Sequence, residues 1–251
     1  MTISPARACH LRKSAAVTAA NASSADERLD ATPYELLRQV LGNCLLELKG
    51  IQSIEEKIAR KRIMLPDFMP WVDGVLAAAA AAEAAGEKFE ASSDDIVSQV
   101  LIWALDTEDF AKALELGAHV LRYGLALPER FKRTAATMIA EEIAEAALKA
   151  LGQGGTFPRD VLQSADELTA REDMPDEVRA KLKKAIGLLL AIEAAALHDT
   201  NADGPAAGKR AAIAAALEHL RRALALNPRV GVKKDIEKLE REAKRLAELQ
   251  S

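Results

Sequence analysis

The chain has 251 residues, 49% of them apolar with Ala and Leu dominant and only 4% aromatic, and a formal net charge of −4. That length holds one large or two small domains, each with a real core, and a chain so poor in aromatics disfavours a β-sandwich and points to an all-α fold. The charge is uneven: ten Lys/Arg stand against seven Asp/Glu in residues 1–65, three against eleven in 66–128 and twenty-one against twenty in 129–251, so a polyanion is expected to meet the N-terminal end.

Residues 1–31 read as a flexible basic arm. The first 25 contain no acid and carry Arg7, His10, Arg12 and Lys13. At Thr32-Pro33 the pattern changes. Apolar residues spaced by three and four from Leu36 to Ile58 predict one long amphipathic helix of about 30 residues across 32–65. It ends in KIARKRIMLP, where Lys57, Arg60, Lys61 and Arg62 form a compact basic cluster. At 100° per residue Lys57 and Lys61 fall nearly together, with Arg60 on the adjoining face. With Arg7, Arg12 and Lys13, they supply a handful of candidate phosphate contacts.

Residues 65–74, LPDFMPWVDG, place two prolines and two aromatics where a helix would otherwise continue. Pro66 and Pro70 force a turn. Phe68 and Trp71 are expected to anchor this elbow between the N-terminal segment and a helical body over 66–251, with Trp103 a third anchor. The body is predicted as helices near 71–85, 93–105, 108–126, 129–151, 158–170, 175–198, 206–226 and 230–249, separated by Gly, Pro and Asn/Asp signals. The stretches 109–128 and 209–228 share His119/His219, Arg122/Arg222 and Pro128/Pro228 at the same spacing. The second resembles the closing helix of a tetratricopeptide repeat. In the last helix, Ile236, Leu239, Ala243 and Leu246 form a short 3-4-3 seam suited to self-association.

The densest run of acids with a possible chemical role is Asp106-Thr107-Glu108-Asp109. Asp106 and Asp109 are the candidate catalytic carboxylates, because converging acids can hold Mg²⁺ for phosphodiester cleavage. The same run also reads as a helix stop followed by an N-cap, the commoner use of such residues. His119 and His219 fit structural roles better than catalytic ones. No phosphate loop, dinucleotide fingerprint, nucleophile elbow or HExxH stands in the chain, so no standard ATPase route is open to it. Cys9 and Cys44 lack metal-ligand spacing and suit a reducing compartment. No apolar run reaches the length of a membrane span.

SPARACHLRKSAA (4–16), LP..MPWVDGVL (65–76), VLIWALDTEDFAKALELGAHVLRYGLALPERFKRT (100–134), DMPDEVRAKLKKAIGLLL (173–190) and HLRRALALNPRVGVKKDIEKLERE (219–242) together resemble the small terminase subunit, or terminase endonuclease subunit, of tailed temperate phages. The resemblance runs in order from about Ser4 to Glu242. It implies a subunit that binds double-stranded viral DNA and directs its cleavage and packaging alongside a large ATPase subunit in the host cytoplasm. It also implies a ring-shaped homo-oligomer, and Mg²⁺ if the endonuclease label holds. The chain ends without a long Lys/Arg-rich tail, which places DNA affinity on the N-terminal arm and the 57–62 cluster. The rival reading is a helical-repeat scaffold with no DNA affinity of its own.

Overall fold

The computed structural model describes residues 3–20, 32–89, 94–197 and 205–248. Among these residues it is all-α. The helices are α1 (Pro5–Ala20), α2 (Pro33–Gly50), α3 (Ile54–Met64), α4 (Met69–Ala84), α5 (Asp95–Asp106), α6 (Phe110–Arg122), α7 (Ala135–Gly152), α8 (Arg159–Leu168), α9 (Asp176–Ala196), α10 (Pro205–Leu226) and α11 (Lys233–Glu248), with one 3-10 turn at Leu65–Asp67. The chain divides into two compact units, Met1–Ala135 and Ala136–Ser251, so the boundary falls at the first residue of α7 and residues 66–251 belong to both. No single described helix is long and apolar enough to cross a membrane.

In unit 1 the segment expected as one long helix is two. Thr32 opens α2 with a reciprocal capping box, its hydroxyl accepting the Glu35 N–H while the Glu35 carboxylate accepts the Thr32 N–H. After Gly50 the backbone becomes extended at Ile51, and Ser53 caps α3 by accepting the Glu56 N–H at 3.3 Å. The apolar spacing runs across this break, but Gly50 is a weak helix former and Ser53-x-x-Glu56 is a start signal inside the predicted helix.

The two prolines begin elements. Pro66 lies in the 3-10 turn and Pro70 in the first turn of α4, where the missing N–H costs no hydrogen bond. The chain bends by 58° between α3 and α4. Phe68, Trp71 and Trp103 are 0%, 1% and 1% exposed. Phe68 and Trp103 meet edge to face at 5.7 Å, and Trp71 packs on Tyr34 at 5.4 Å. The indole N–H of Trp71 donates to Asp94 Oδ2 at 2.8 Å, while Asp94 Oδ1 accepts the N–H groups of Ile96 and Val97 and so caps α5. Every residue of α5 from Ile96 to Leu105 is buried, the pattern of a helix enclosed on all sides.

Part of the predicted flexible arm is ordered. Residues 5–20 form α1, which packs along α4 and buries Leu11 and Ala15. Residues 21–31 of that arm lie outside the described residues. In unit 2, α9 and α10 are the longest helices and pack closely at Gly187, where a Cβ would stand 2.7 Å from Leu220 Cδ2. The seam on α11 is used within the chain: Ile236, Leu239 and Leu246 are buried as α11 packs on α10, which leaves little of it for a second copy.

Candidate nucleic-acid interface

Three of the four cations in the 57–62 cluster are engaged internally. Arg60 Nε bonds Glu47 of α2, Lys61 Nζ lies 2.6 Å from Asp106 Oδ2, and Arg62 Nη2 donates to the Thr107 carbonyl at 3.1 Å. The Arg60 hydrogen bond holds the Glu47 carboxyl below its ordinary pKa, and Glu47 in turn raises that of Arg60. Lys57 is half-buried and forms no ion pair among the described residues. Sequence alone displays the four as one solvated patch. Folded, Arg60, Lys61 and Arg62 clip α3 to α2 and to the corner between α5 and α6, which reduces the charge available to a phosphate.

That corner holds the two candidate catalytic acids. Asp106 ends α5 beside Lys61, and its charge also acts on Arg130. Asp109 Oδ1 accepts the Lys112 N–H at 3.3 Å and so caps α6. Between them the chain closes α5 with paired bonds, Asp109 N–H to the Ala104 carbonyl at 2.9 Å and Glu108 N–H to the Leu105 carbonyl at 3.1 Å. This is a Schellman turn, and its left-handed position is held by Glu108 at φ 61° where glycine is usual. Glu108→Gly is therefore expected to stabilise the fold by about 1 kcal/mol in chemical denaturation; an unchanged or lowered midpoint would remove this account of the turn.

A cleft of about 370 Å³ borders the corner, lined by Arg62, Leu65, Pro66, Met69, Asp109 and Lys112 among others. Lys112 Nζ sits 2.6 Å from Glu115 and 3.8 Å from Asp73. Mg²⁺ demands several converging oxygen ligands. Among the described residues no three His, Cys, Asp or Glu side chains are placed to hold a metal ion. With Asp106 on Lys61 and Asp109 on a helix N-terminus, the residues at the corner do not fit that ion.

The α1 cations contrast with the cluster. Arg7, His10, Arg12 and Lys13 are all exposed, and the helix contains no acid. Among the described residues the side chains of Arg7, Arg12 and Lys13 form no ion pair. On a 100° period Leu11 and Ala15 mark the inward seam, Arg7 and Arg12 flank it, and Lys13 lies on the outer face. The structure thus leaves the charge of α1 unpaired while it consumes most of the charge at 57–62.

Neither histidine offers a catalytic setting. His119 is 5% exposed, with its ring 4.8 Å from that of Tyr123 and 6.1 Å from that of Phe89. Burial lowers its pKa. Burial also lowers that of His219, with Lys183 adding to the effect. Two residues that matter for the arrangement were not picked out from sequence. Asp94 shows in the sequence only as an acid before an apolar run. Gly74 stood inside the quoted elbow, marked by nothing beyond being the one glycine of a helix otherwise rich in alanine.

A family model described as the phage small terminase subunit matches residues 39–177. The terminase, endonuclease subunit of Escherichia phage P2 is 42% identical over 241 residues, a span that covers 96% of this chain and 86% of that protein. No solved structure matches. The family match covers more than half of the chain, and the alignment to the P2 protein extends over nearly all of it. The chain belongs to the phage small terminase subunit family.

Proposed function

We propose that this small terminase subunit binds double-stranded viral DNA through the exposed cations of α1 and, with a large ATPase subunit, directs cleavage and packaging of that DNA in the host cytoplasm. The observation that carries the reading is the contrast in charge: Arg7, Arg12 and Lys13 are exposed and unpaired, whereas Arg60, Lys61 and Arg62 are tied into the fold. Lys57 is the member of the second group that can add a contact. Self-assembly into a ring belongs to the same reading, through surfaces other than the buried α11 seam.

The test is a fluorescence titration of labelled duplex DNA at several salt concentrations, with wild type beside Arg7→Gln/Arg12→Gln/Lys13→Gln. Three phosphate contacts weaken binding about 40-fold between 50 and 200 mM salt, so the triple variant is expected to lose that part of the salt dependence. Equal affinity and slope in the variant would remove α1 from the interface. An intact protein that shows no DNA affinity at low salt would favour the scaffold reading. Light scattering in the same samples reports the oligomer.

Cleavage is a separable part of the reading, suggested by the name of the P2 relative. The roles of Asp106 in an ion pair and Asp109 as a cap lead us to expect that plasmid nicking with Mg²⁺, where the wild type shows it, survives Asp106→Ala and Asp109→Ala. Loss of nicking in folded variants would assign the chemistry to these two carboxylates after all.

A further inference from the structure

We infer that Gly74 is a positioning residue: by letting α1 seat directly on α4, it fixes where Arg7, Arg12 and Lys13 project around the exposed sides of α1, so that α1 docking and polyanion binding are thermodynamically coupled. This rests on the reading that α1 faces DNA.

Gly74 lies in the interior of α4, a helix whose next turns are a run of alanines. Alanine is intrinsically the better residue there. What excludes it is α1. A Cβ on Gly74 would stand 2.4 Å from the Arg12 carbonyl oxygen and 2.8 Å from Ala15 Cβ. The first of these atoms is backbone, so it cannot swing aside; the helix carrying it would have to move.

The rest of the α1 contact is small and apolar: among the described side chains of α1 Leu11 and Ala15 are buried, and no side-chain hydrogen bond or ion pair among the described residues joins α1 to the rest of unit 1. Its docking therefore includes a backbone contact that no side-chain rearrangement relieves, and the residue whose carbonyl touches Gly74 is itself one of the three cations. A duplex that engages all three cations favours the docked helix by its differential affinity, and reciprocity requires that docking favour the duplex equally.

The test uses the full chain with Gly74→Ala, which leaves the helical preference of α4 intact, and Ala15→Leu, which overfills the same contact from the α1 side. Hydrogen exchange and trypsin cleavage at Arg7, Arg12 and Lys13 report docking, while tryptophan fluorescence checks that the core around Trp71 and Trp103 is retained. Both variants are expected to expose α1. If α1 stays docked in about a tenth of the molecules, apparent DNA affinity falls about tenfold. Saturating duplex should then restore protection of α1, a recovery that a purely structural role of Gly74 does not predict.

Wild-type protection of α1 in both variants would overturn the inference. So would an exposed α1 with undiminished DNA affinity, provided the Arg7/Arg12/Lys13 variant loses binding; the α1 interface would then stand without the coupling. If the triple variant binds like wild type, the interface reading fails and the coupling with it.

Discussion

Trp71→Ala is expected to destabilise unit 1 by about 3–5 kcal/mol, the range for emptying a buried large aromatic site. Trp71 is 1% exposed, packs on Tyr34, and holds the Asp94 carboxylate through its indole N–H. The substitution removes all three interactions. The surrounding helices cannot close the space easily, because Tyr34 comes from α2 and Asp94 from the start of α5, and each is fixed by its own helix. Trp103 remains as the fluorophore. Urea unfolding followed through it should show a midpoint shift of the full size, and a shift below about 1 kcal/mol would show that the elbow is not held by this side chain.

Asp94→Ala should cost about 2–4 kcal/mol, combining a lost helix N-cap with a buried indole N–H left unpaired. Asp94→Asn is a partial remedy only. A carboxylate offers two acceptor oxygens, and both are used, Oδ2 for Trp71 and Oδ1 for the Ile96 and Val97 N–H groups. An amide keeps one oxygen and turns its NH₂ toward whichever donor is abandoned. Combining Asp94→Ala with Trp71→Phe in a double-mutant cycle isolates the shared hydrogen bond, because either change alone breaks it; the two losses should not add.

Asp94 also gives stability a pH dependence of defined sign. Burial is the largest influence on it and raises its pKa, against the lowering effect of its three hydrogen bonds. A group whose folded pKa lies above its unfolded value contributes stability that is present below the unfolded pKa, about 3.9 for Asp, and lost as pH rises through the folded value. The stability difference between wild type and Asp94→Asn should therefore narrow as pH climbs above about 4, then level off. A difference that is constant across that window, or that widens, would mean that Asp94 is not raised.

Helical class was legible because it rests on local chemistry. Alanine, leucine and charged residues at spacings of three and four make amphipathic helices wherever they occur, and the body helices end near the Gly, Pro and Asp signals that mark them. Errors arose where a local signal was outvoted by periodicity. The apolar spacing from Leu36 to Ile58 continues in register across residues 51–53, although Gly50 and Ser53-x-x-Glu56 spell a stop and a start. Residues 5–20 carry almost no amphipathic pattern, and only Leu11 and Ala15 reveal an inward side once α4 is beside them. No periodicity argument could have found that helix's partner.

The candidate interface was legible as residue types and not as availability. Seven cations stand out in the sequence. Which of them can meet a phosphate depends on acids far away along the chain: Asp106 is 45 residues from Lys61, and Glu47 is 13 from Arg60. Asp106 and Asp109 show the same limit from the acidic side, since a carboxylate free to bind a metal and one committed to a lysine or a helix N-terminus look identical in a string of letters.

By itself the sequence determined that the chain is helical, where most of its helices lie, and the family resemblance carried by motifs from Ser4 to Glu242. Those properties follow from short-range backbone preferences and from the order of residues. Tertiary structure alone decided that α1 docks on α4 at Gly74, that Trp71 and Asp94 share a buried hydrogen bond, that the α11 seam is covered within the chain, and that Arg60, Lys61 and Arg62 are engaged while Arg7, Arg12 and Lys13 form no ion pair among the described residues. Each of these depends on which distant groups meet when helices pack, and packing selects partners by shape, burial and charge pairing across the fold.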